Sequence, residues 1–420
     1  MWDKQSTLAV APVTSTPART PADPRGRGFE GAGQRRLRST LSPRSVRRGR
    51  SSRTPQPPPG HPQTPGGSVG RVTGVAAALA DSRFLRACRG LPVDRTPVWF
   101  MRQAGRSLPE YHRARGELSL LEAVARPELV AELTLQPVRR YGVDAAVLFS
   151  DIVVPLAAIG FGVDIVAGTG PVIERPFAGR ADLGRLRPPD SEELAHLSAA
   201  VGLLVAELDV PLIGFAGAPF TLASYLIEGG PSRHHPRTKA LMLGDEALWL
   251  DLTERLAEIA IASLHAQVAA GASAVQLFDS WAGCLSPAHY RRYAALASRR
   301  VLAAVAEWGV PAIHFGVGTG ALLEDMAVGA DVVGIDWRVP LGEARARLGA
   351  EVAVQGNLDP AACLAPWEAV SAEARAVLAA NAGRPGHIFN LGHGVLPQTD
   401  PAVLQRLVDL THRHGRTADR

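Results

Sequence analysis

The 420-residue sequence has little cysteine, no long apolar run and no spacing that would gather metal ligands. Its three cysteines, Cys88, Cys284 and Cys363, lie too far apart to frame a disulfide scaffold. A chain of this length with so few is expected to keep free thiols in a reducing compartment, the cytoplasm. No stretch approaches the ~18 uncharged apolar residues that would span a membrane. No cysteine has a histidine two or three residues away, which speaks against a soft-ligand metal centre. No G-x-S-x-G elbow stands between a strand and a helix pattern, so nucleophilic catalysis lacks its usual setting.

What is present is an apolar content of 46%, normal for a chain that buries a sizeable core. The formal net charge of +5 is unevenly spread. Residues 1–70 carry 12 Lys or Arg against 3 Asp or Glu, whereas the remainder carries 33 against 37. The first 70 residues also hold 11 prolines and 9 glycines, with few large apolar side chains. Such a segment buries too little surface to offset its ordering entropy, and residues 1–71 read as a disordered basic extension. It has no secretory h-region. Arg35-Arg36-Leu37-Arg38 and Arg47-Arg48-Gly49-Arg50 could touch nucleic acid non-specifically. The plainer reading is a dispensable extension or an early start. With no methionine between Met1 and Met101, a shorter product would begin at a residue such as Val69.

Residues 72–420 read as the catalytic domain. Pro97-Val98-Trp99-Phe100-Met101 reads as a strand buried on both faces, and it runs at once into Arg102 and Arg106 with Gly105 between them. Fixed positive charge at the end of a strand suits an anionic ligand. Further strands are expected at Ala145–Ser150, Pro211–Gly217, Ala274–Phe278, Ala312–Gly316, Val332–Asp336, Val352–Gly356 and His387–Leu391. Helical patterns separate them near 127–141, 247–270, 287–308, 321–329, 341–349, 366–381 and 401–414. The longer gap at 152–210 should hold a hairpin around Phe161–Pro176 and a helix near 190–207. Eight strands alternating with helices point to an α/β fold, a parallel (β/α)8 TIM barrel in one domain, with an open doubly wound sheet as the alternative.

In a barrel, reactive side chains follow the carboxyl ends of the strands. Those positions hold Arg102 and Arg106, Asp151, Thr221 and Tyr225, Asp279-Ser280-Trp281, then Asn390 and His393. Asp151 could instead cap a turn, Tyr225 could be a half-buried helix aromatic, and Ser280 could bond only backbone. His234-His235 reads as a solvated loop. Gly316-Val317-Gly318-Thr319-Gly320-Ala321, with Asp336 about 20 residues on, fits a dinucleotide fingerprint. Four βα units already precede it, and a glycine-rich loop lining a barrel pocket accounts for it equally well.

Taken together the motifs resemble those of the uroporphyrinogen decarboxylase family. PVWFMRQAGRSLPEY at Pro97–Tyr111, GFAGAPFTLASYLIE at Gly214–Glu228 and NLGHG at Asn390–Gly394 match its signatures, and FSDI, QLFDSWAG and QGNLDP add to them. The likeness covers about residues 72–415. Ser107 departs from it, since the family usually has tyrosine there. The resemblance implies a (β/α)8 homodimer that removes carbon dioxide from the four acetates of uroporphyrinogen III without metal or organic cofactor. It implies that Arg102, Gln103, Ala104, Gly105 and Arg106 form a substrate-binding turn whose two arginines take carboxylates. Asp151 would bind the pyrrole N–H groups, with Tyr225, Ser280 and His393 on other polar groups and Phe278 on the apolar wall. Asp151 and Arg102 would carry the catalysis. Two alternatives stand beside it: a related corrinoid-dependent barrel methyltransferase, which would need zinc ligands, and nucleic-acid association through the basic segment. No membrane or specific nucleic-acid partner is expected.

Overall fold

The computed structural model describes residues 79–103, 105, 107–166 and 168–415. The extension expected over 1–71 lies outside them, as do Ala104 and Arg106. Among the described residues nine strands run in chain order: β1 Ala146–Val147, β2 Val163–Val166, β3 Gly170–Ile173, β4 Leu212–Gly217, β5 Ala274–Asp279, β6 Ala312–Gly316, β7 Val332–Gly334, β8 Ala353–Gln355 and β9 His387–Ile388. Seven of these form one parallel sheet in the order β1-β4-β5-β6-β7-β8-β9. Because each new strand is added on the same side of the last, the sheet curls in a single direction, with helices on its outer face.

Segment 97–100 lies against the far edge of that sheet. Val98 pairs in parallel with Phe389, whose N–H donates to the Pro97 carbonyl at 2.8 Å. On its other side, Asp144 N–H donates to the Val98 carbonyl at 2.8 Å, two residues before β1. Trp99 is fully buried, and its indole N–H donates to Gln355 Oε1 at 2.9 Å. Gln355 in turn donates to Gln276 Oε1 at 2.9 Å. Three buried polar side chains from three segments thus satisfy one another, as buried polar groups must.

Alternation along the strands sorts side chains between two layers. In β5, Gln276 and Phe278 face the inside of the curl, while Leu277 packs with Val301 and Leu302 of the helix Ala295–Glu307. The expected hairpin forms from β2 and β3, paired antiparallel from Val163–Ile173 to Val166–Gly170, and the helix Ala195–Glu207 follows.

Several expectations are corrected. The helix expected over 287–308 breaks at Ala294 into Pro287–Tyr293 and Ala295–Glu307. The pattern near 321–329 shrinks to Leu323–Met326. Helices Pro109–Arg115, Pro219–Glu228 and Pro236–Gly244 each begin on a proline, whose fixed φ and missing N–H suit a first turn. His235 is no solvated loop residue. It is 3% exposed at a φ of 49°, and its ring lies 4.7 Å from that of Trp281. The fingerprint at Gly316 also resolves. Asp336 accepts from Gly318 N–H and pairs with Arg338 at 2.7 Å, so the carboxylate that would hold a ribose closes its own loop.

Candidate active site at the carboxyl ends of the strands

Arg102 is placed by its neighbours in sequence. The N–H of Met101 donates to Asn390 Oδ1 at 3.2 Å, and the Met101 carbonyl accepts from Val395 N–H at 2.9 Å. These two bonds pin the chain just where the 97–100 segment ends. Arg102 then adopts a φ of 59°, a left-handed conformation that costs a non-glycine residue about 1–2 kcal/mol. Its side-chain stem runs over Gly394. A Cβ at position 394 would come within 2.6 Å of Arg102 Cδ and 3.2 Å of its Cβ, so only glycine lets the arginine lie there. Arg102 is exposed, and no carboxylate among the described residues pairs with it. Gln103, by contrast, is fully buried, and its Oε1 accepts from Phe100 N–H at 3.1 Å, tightening the turn. Gly105 packs against the Tyr111 ring.

His393 sits beside this turn. Its Nδ1 accepts from Gly394 N–H at 2.6 Å, which puts the ring proton on Nε2 and makes that atom a donor. The ring meets Phe315 and Trp337 edge-on, each at 6.3 Å. Phe315 in turn meets Phe278 at 5.9 Å, and Phe278 meets Phe215 at 5.4 Å. An apolar wall therefore runs from His393 across β6, β5 and β4.

Asp151 follows β1 and is half-buried. One carboxylate oxygen accepts from Val153 N–H at 3.1 Å, so it does cap the turn into the helix Val154–Ala158. It also acts at a distance. Burial first, and then the negative charge of Asp151, push the Tyr225 phenol up to about 12, while the positive charge of Arg102 works against them. Arg102, Asp151 and Tyr225, from three separated stretches, are thus close enough to feel one another. Tyr225 keeps its proton and is a donor across the neutral range.

Tyr225 stacks on Trp281, with ring centres 3.9 Å apart. Ser280 lies between Trp281 and Asp279, half-buried at the end of β5. Asp279 itself is fully buried, and Oδ1 accepts from the Thr221 hydroxyl at 3.0 Å. The structure therefore gathers Arg102, Asp151, Tyr225, Phe278, Ser280 and His393 at one end of the curled sheet, while Ala104 and Arg106 lie outside the described residues. Sequence reading did not find His314 or the bond from Asp279 to Thr221. Both lie behind the strands, and no local spacing marks them. Among the described residues no three His, Cys, Asp or Glu side chains converge as metal ligands.

The arrangement offers a guanidinium fork, a carboxylate, a hydroxyl and two neutral donors around an apolar wall. A cation beside an apolar wall suits an anionic ligand with an apolar body. Comparison with known proteins gives the same direction. Residues 79–414 match the family model described as uroporphyrinogen decarboxylase. The chain is 63% identical over 335 residues to the uroporphyrinogen decarboxylase of Salinispora tropica, covering 79% of this chain and 90% of that one. It is 64% identical over 337 residues to that of Streptomyces coelicolor, covering 80% and 95%. Among solved structures, a methyltransferase from Methanosarcina mazei is similar in fold, with a TM-score of 0.68 at 21% identity over 79% of this chain and 97% of that one.

Proposed function

The chain belongs to the uroporphyrinogen decarboxylase family, and from that premise we propose how its strand-end residues strip carbon dioxide from the four acetate side chains of uroporphyrinogen III, leaving coproporphyrinogen III in porphyrin biosynthesis. The observation that carries the activity is the match over residues 79–414, joined by relatives 63% and 64% identical over about four-fifths of the chain. The methyltransferase shares the fold alone, and it does not favour the corrinoid reading.

Losing carbon dioxide from an acetate leaves an electron pair that needs a sink. A pyrrole protonated on its α-carbon is one. The carbon–carbon bond breaks, its electrons neutralise the ring cation, and an exocyclic methylene remains. That carbon takes a proton to become methyl, and loss of the α-proton restores the pyrrole. The substrate thereby does the work of a cofactor. Arg102 and Arg106 hold carboxylates as forks, which an ammonium group would do less well. Asp151 faces the pyrrole N–H groups and stabilises the cationic ring more than the neutral one, which is differential stabilisation. With an effective dielectric of ~20, opposite unit charges ~4 Å apart attract by roughly 4 kcal/mol before desolvation. Once desolvation is subtracted from that ceiling of about a thousandfold, the gain is on the order of a few hundredfold in rate at most. Tyr225, Ser280 and the Nε2–H of His393 meet further polar groups, and Phe278 lines the wall. The proton comes from Arg102 or from a water that it orients.

The same reading takes segment 97–100 as the strand that joins β9 to β1 and completes a (β/α)8 barrel. Its backbone bonds to Phe389 and Asp144 support this. It also takes the protein as a cytoplasmic homodimer, supported by the family resemblance and by three free thiols. The test is anaerobic incubation of the full chain with freshly reduced uroporphyrinogen III. Stepwise loss of four carboxyls, ending at the tetracarboxylate, is the expected result, and unchanged octacarboxylate would refute the assignment.

A further inference from the structure

Behind the site, at the carboxyl end of β5, lies a buried polar cluster that no part of the chemistry above uses. Asp279 is fully buried between the sheet and the helix Pro219–Glu228. Its Oδ1 accepts from the Thr221 hydroxyl at 3.0 Å, and that hydroxyl oxygen accepts from Trp281 N–H at 3.3 Å. The second oxygen of Asp279 faces His314 Nε2 at 3.8 Å across the neighbouring strand β6. His314 Nδ1 lies 3.0 Å from the Met326 carbonyl, which can only accept, so Nδ1 carries a proton and the ring is fixed in place.

Two features make this more than core packing. Thr221 and Tyr225 stand one turn apart on the same helix, so a bond that fixes Thr221 also fixes the rotation that presents Tyr225. In addition, Trp281, whose N–H the Thr221 hydroxyl takes, lays its ring on Tyr225 with centres 3.9 Å apart. The turn after β5 is therefore tied twice to the helix, once through the hydroxyl and once through the rings, and Ser280 lies inside the tied turn.

We propose that Asp279 and Thr221 are positioning residues: their hydrogen bond locks the Ser280–Trp281 turn to the helix carrying Tyr225, and so sets the place of both hydroxyls at the substrate. Neither touches the substrate. The bond acts through Ser280 and Tyr225, and it rests on the substrate role given to those two above.

Thr221→Val tests this at nearly constant volume, because it removes the hydroxyl and leaves the branched shape. Thr221→Ser is the companion that keeps the oxygen. Each variant is assayed for KM and kcat with uroporphyrinogen III. Each is also measured by near-UV circular dichroism, where the difference from Trp281→Phe isolates the Tyr225–Trp281 pair. Thr221→Val is expected to raise KM about tenfold with a smaller fall in kcat and to lose the pair's signal, while Thr221→Ser stays within about twofold and keeps it. A Thr221→Val protein with unchanged KM and unchanged signal overturns the proposal. If Tyr225→Phe and Ser280→Ala leave KM unchanged while Thr221→Val still abolishes the signal, the lock stands, and it is the substrate role of the two hydroxyls that falls.

Discussion

Arg102 holds an unfavourable backbone conformation because Met101 is bonded on both sides and Gly394 leaves room for the arginine stem. The side chain is thereby aimed before any ligand arrives, which lowers the entropy that binding must overcome. Two substitutions probe this. Gly394→Ala places a methyl against the whole stem and should raise KM about tenfold or more, with the melting temperature moving by only a few degrees. Arg102→Lys keeps the charge and loses the planar fork, and should weaken substrate binding by a comparable factor in direct titration. Equal KM values for Gly394→Ala and the parent chain would show that the arginine is not aimed by this contact. The cysteines are residues of a different kind. Burial pushes the Cys88 thiol upward and Cys363 up to about 12, so neither supplies a reactive thiolate.

At the scale of elements, what the sequence made legible was local. Each strand of the parallel sheet was visible as a short apolar run, and the site residues were visible as polar side chains just past those runs. The hairpin at β2 and β3 was visible as the one gap too long for a βα unit. What was not legible depended on contacts between distant stretches. Asp279 and Thr221 are 58 residues apart and bond through the layer between sheet and helix. His235 beside two prolines looked like a solvated turn, yet the ring of Trp281 draws it inside. The glycine-rich loop after β6 imitates a nucleotide site because the same short-range geometry closes it on Asp336. Asp336→Ala should therefore cost about 1–3 kcal/mol in denaturant unfolding, because it removes the charged acceptor shared by Gly318 N–H and Arg338. A stability within a few tenths of the parent would contradict that role.

For the whole molecule, His387 is one buried group that lowers stability in acid. The imidazole is completely buried, and desolvation is the main cause that pushes it down to about 4, with Arg345 adding to the shift and its bond to the Gly356 carbonyl opposing it. The unfolded chain takes up this proton near 6.5, the folded one only near 4. Unfolding therefore binds a proton between these values, and stability falls as pH drops from 6.5 towards 4. The loss amounts to about 3 kcal/mol once pH lies below the folded value. Denaturant titrations from pH 7 to 4 should show this slope in the parent chain and a slope shallower by about one proton in His387→Gln, which keeps a donor for Gly356, while the half-buried His196 and the buried His235 still contribute. The basic segment 1–70 is a separate matter. The family match begins at residue 79, so deleting 1–70 should leave kcat/KM and melting temperature unchanged.

In the proposed reaction Asp151 acts by its negative charge. Asp151→Asn keeps the size and an acceptor for Val153 N–H while removing that charge. Single-turnover decarboxylation of uroporphyrinogen III by this variant, set beside its substrate dissociation constant, separates chemistry from binding. The rate should fall on the order of a hundredfold or more while the dissociation constant changes by less than about threefold. Near-normal turnover, or a loss carried entirely by binding, would contradict that role for the Asp151 charge.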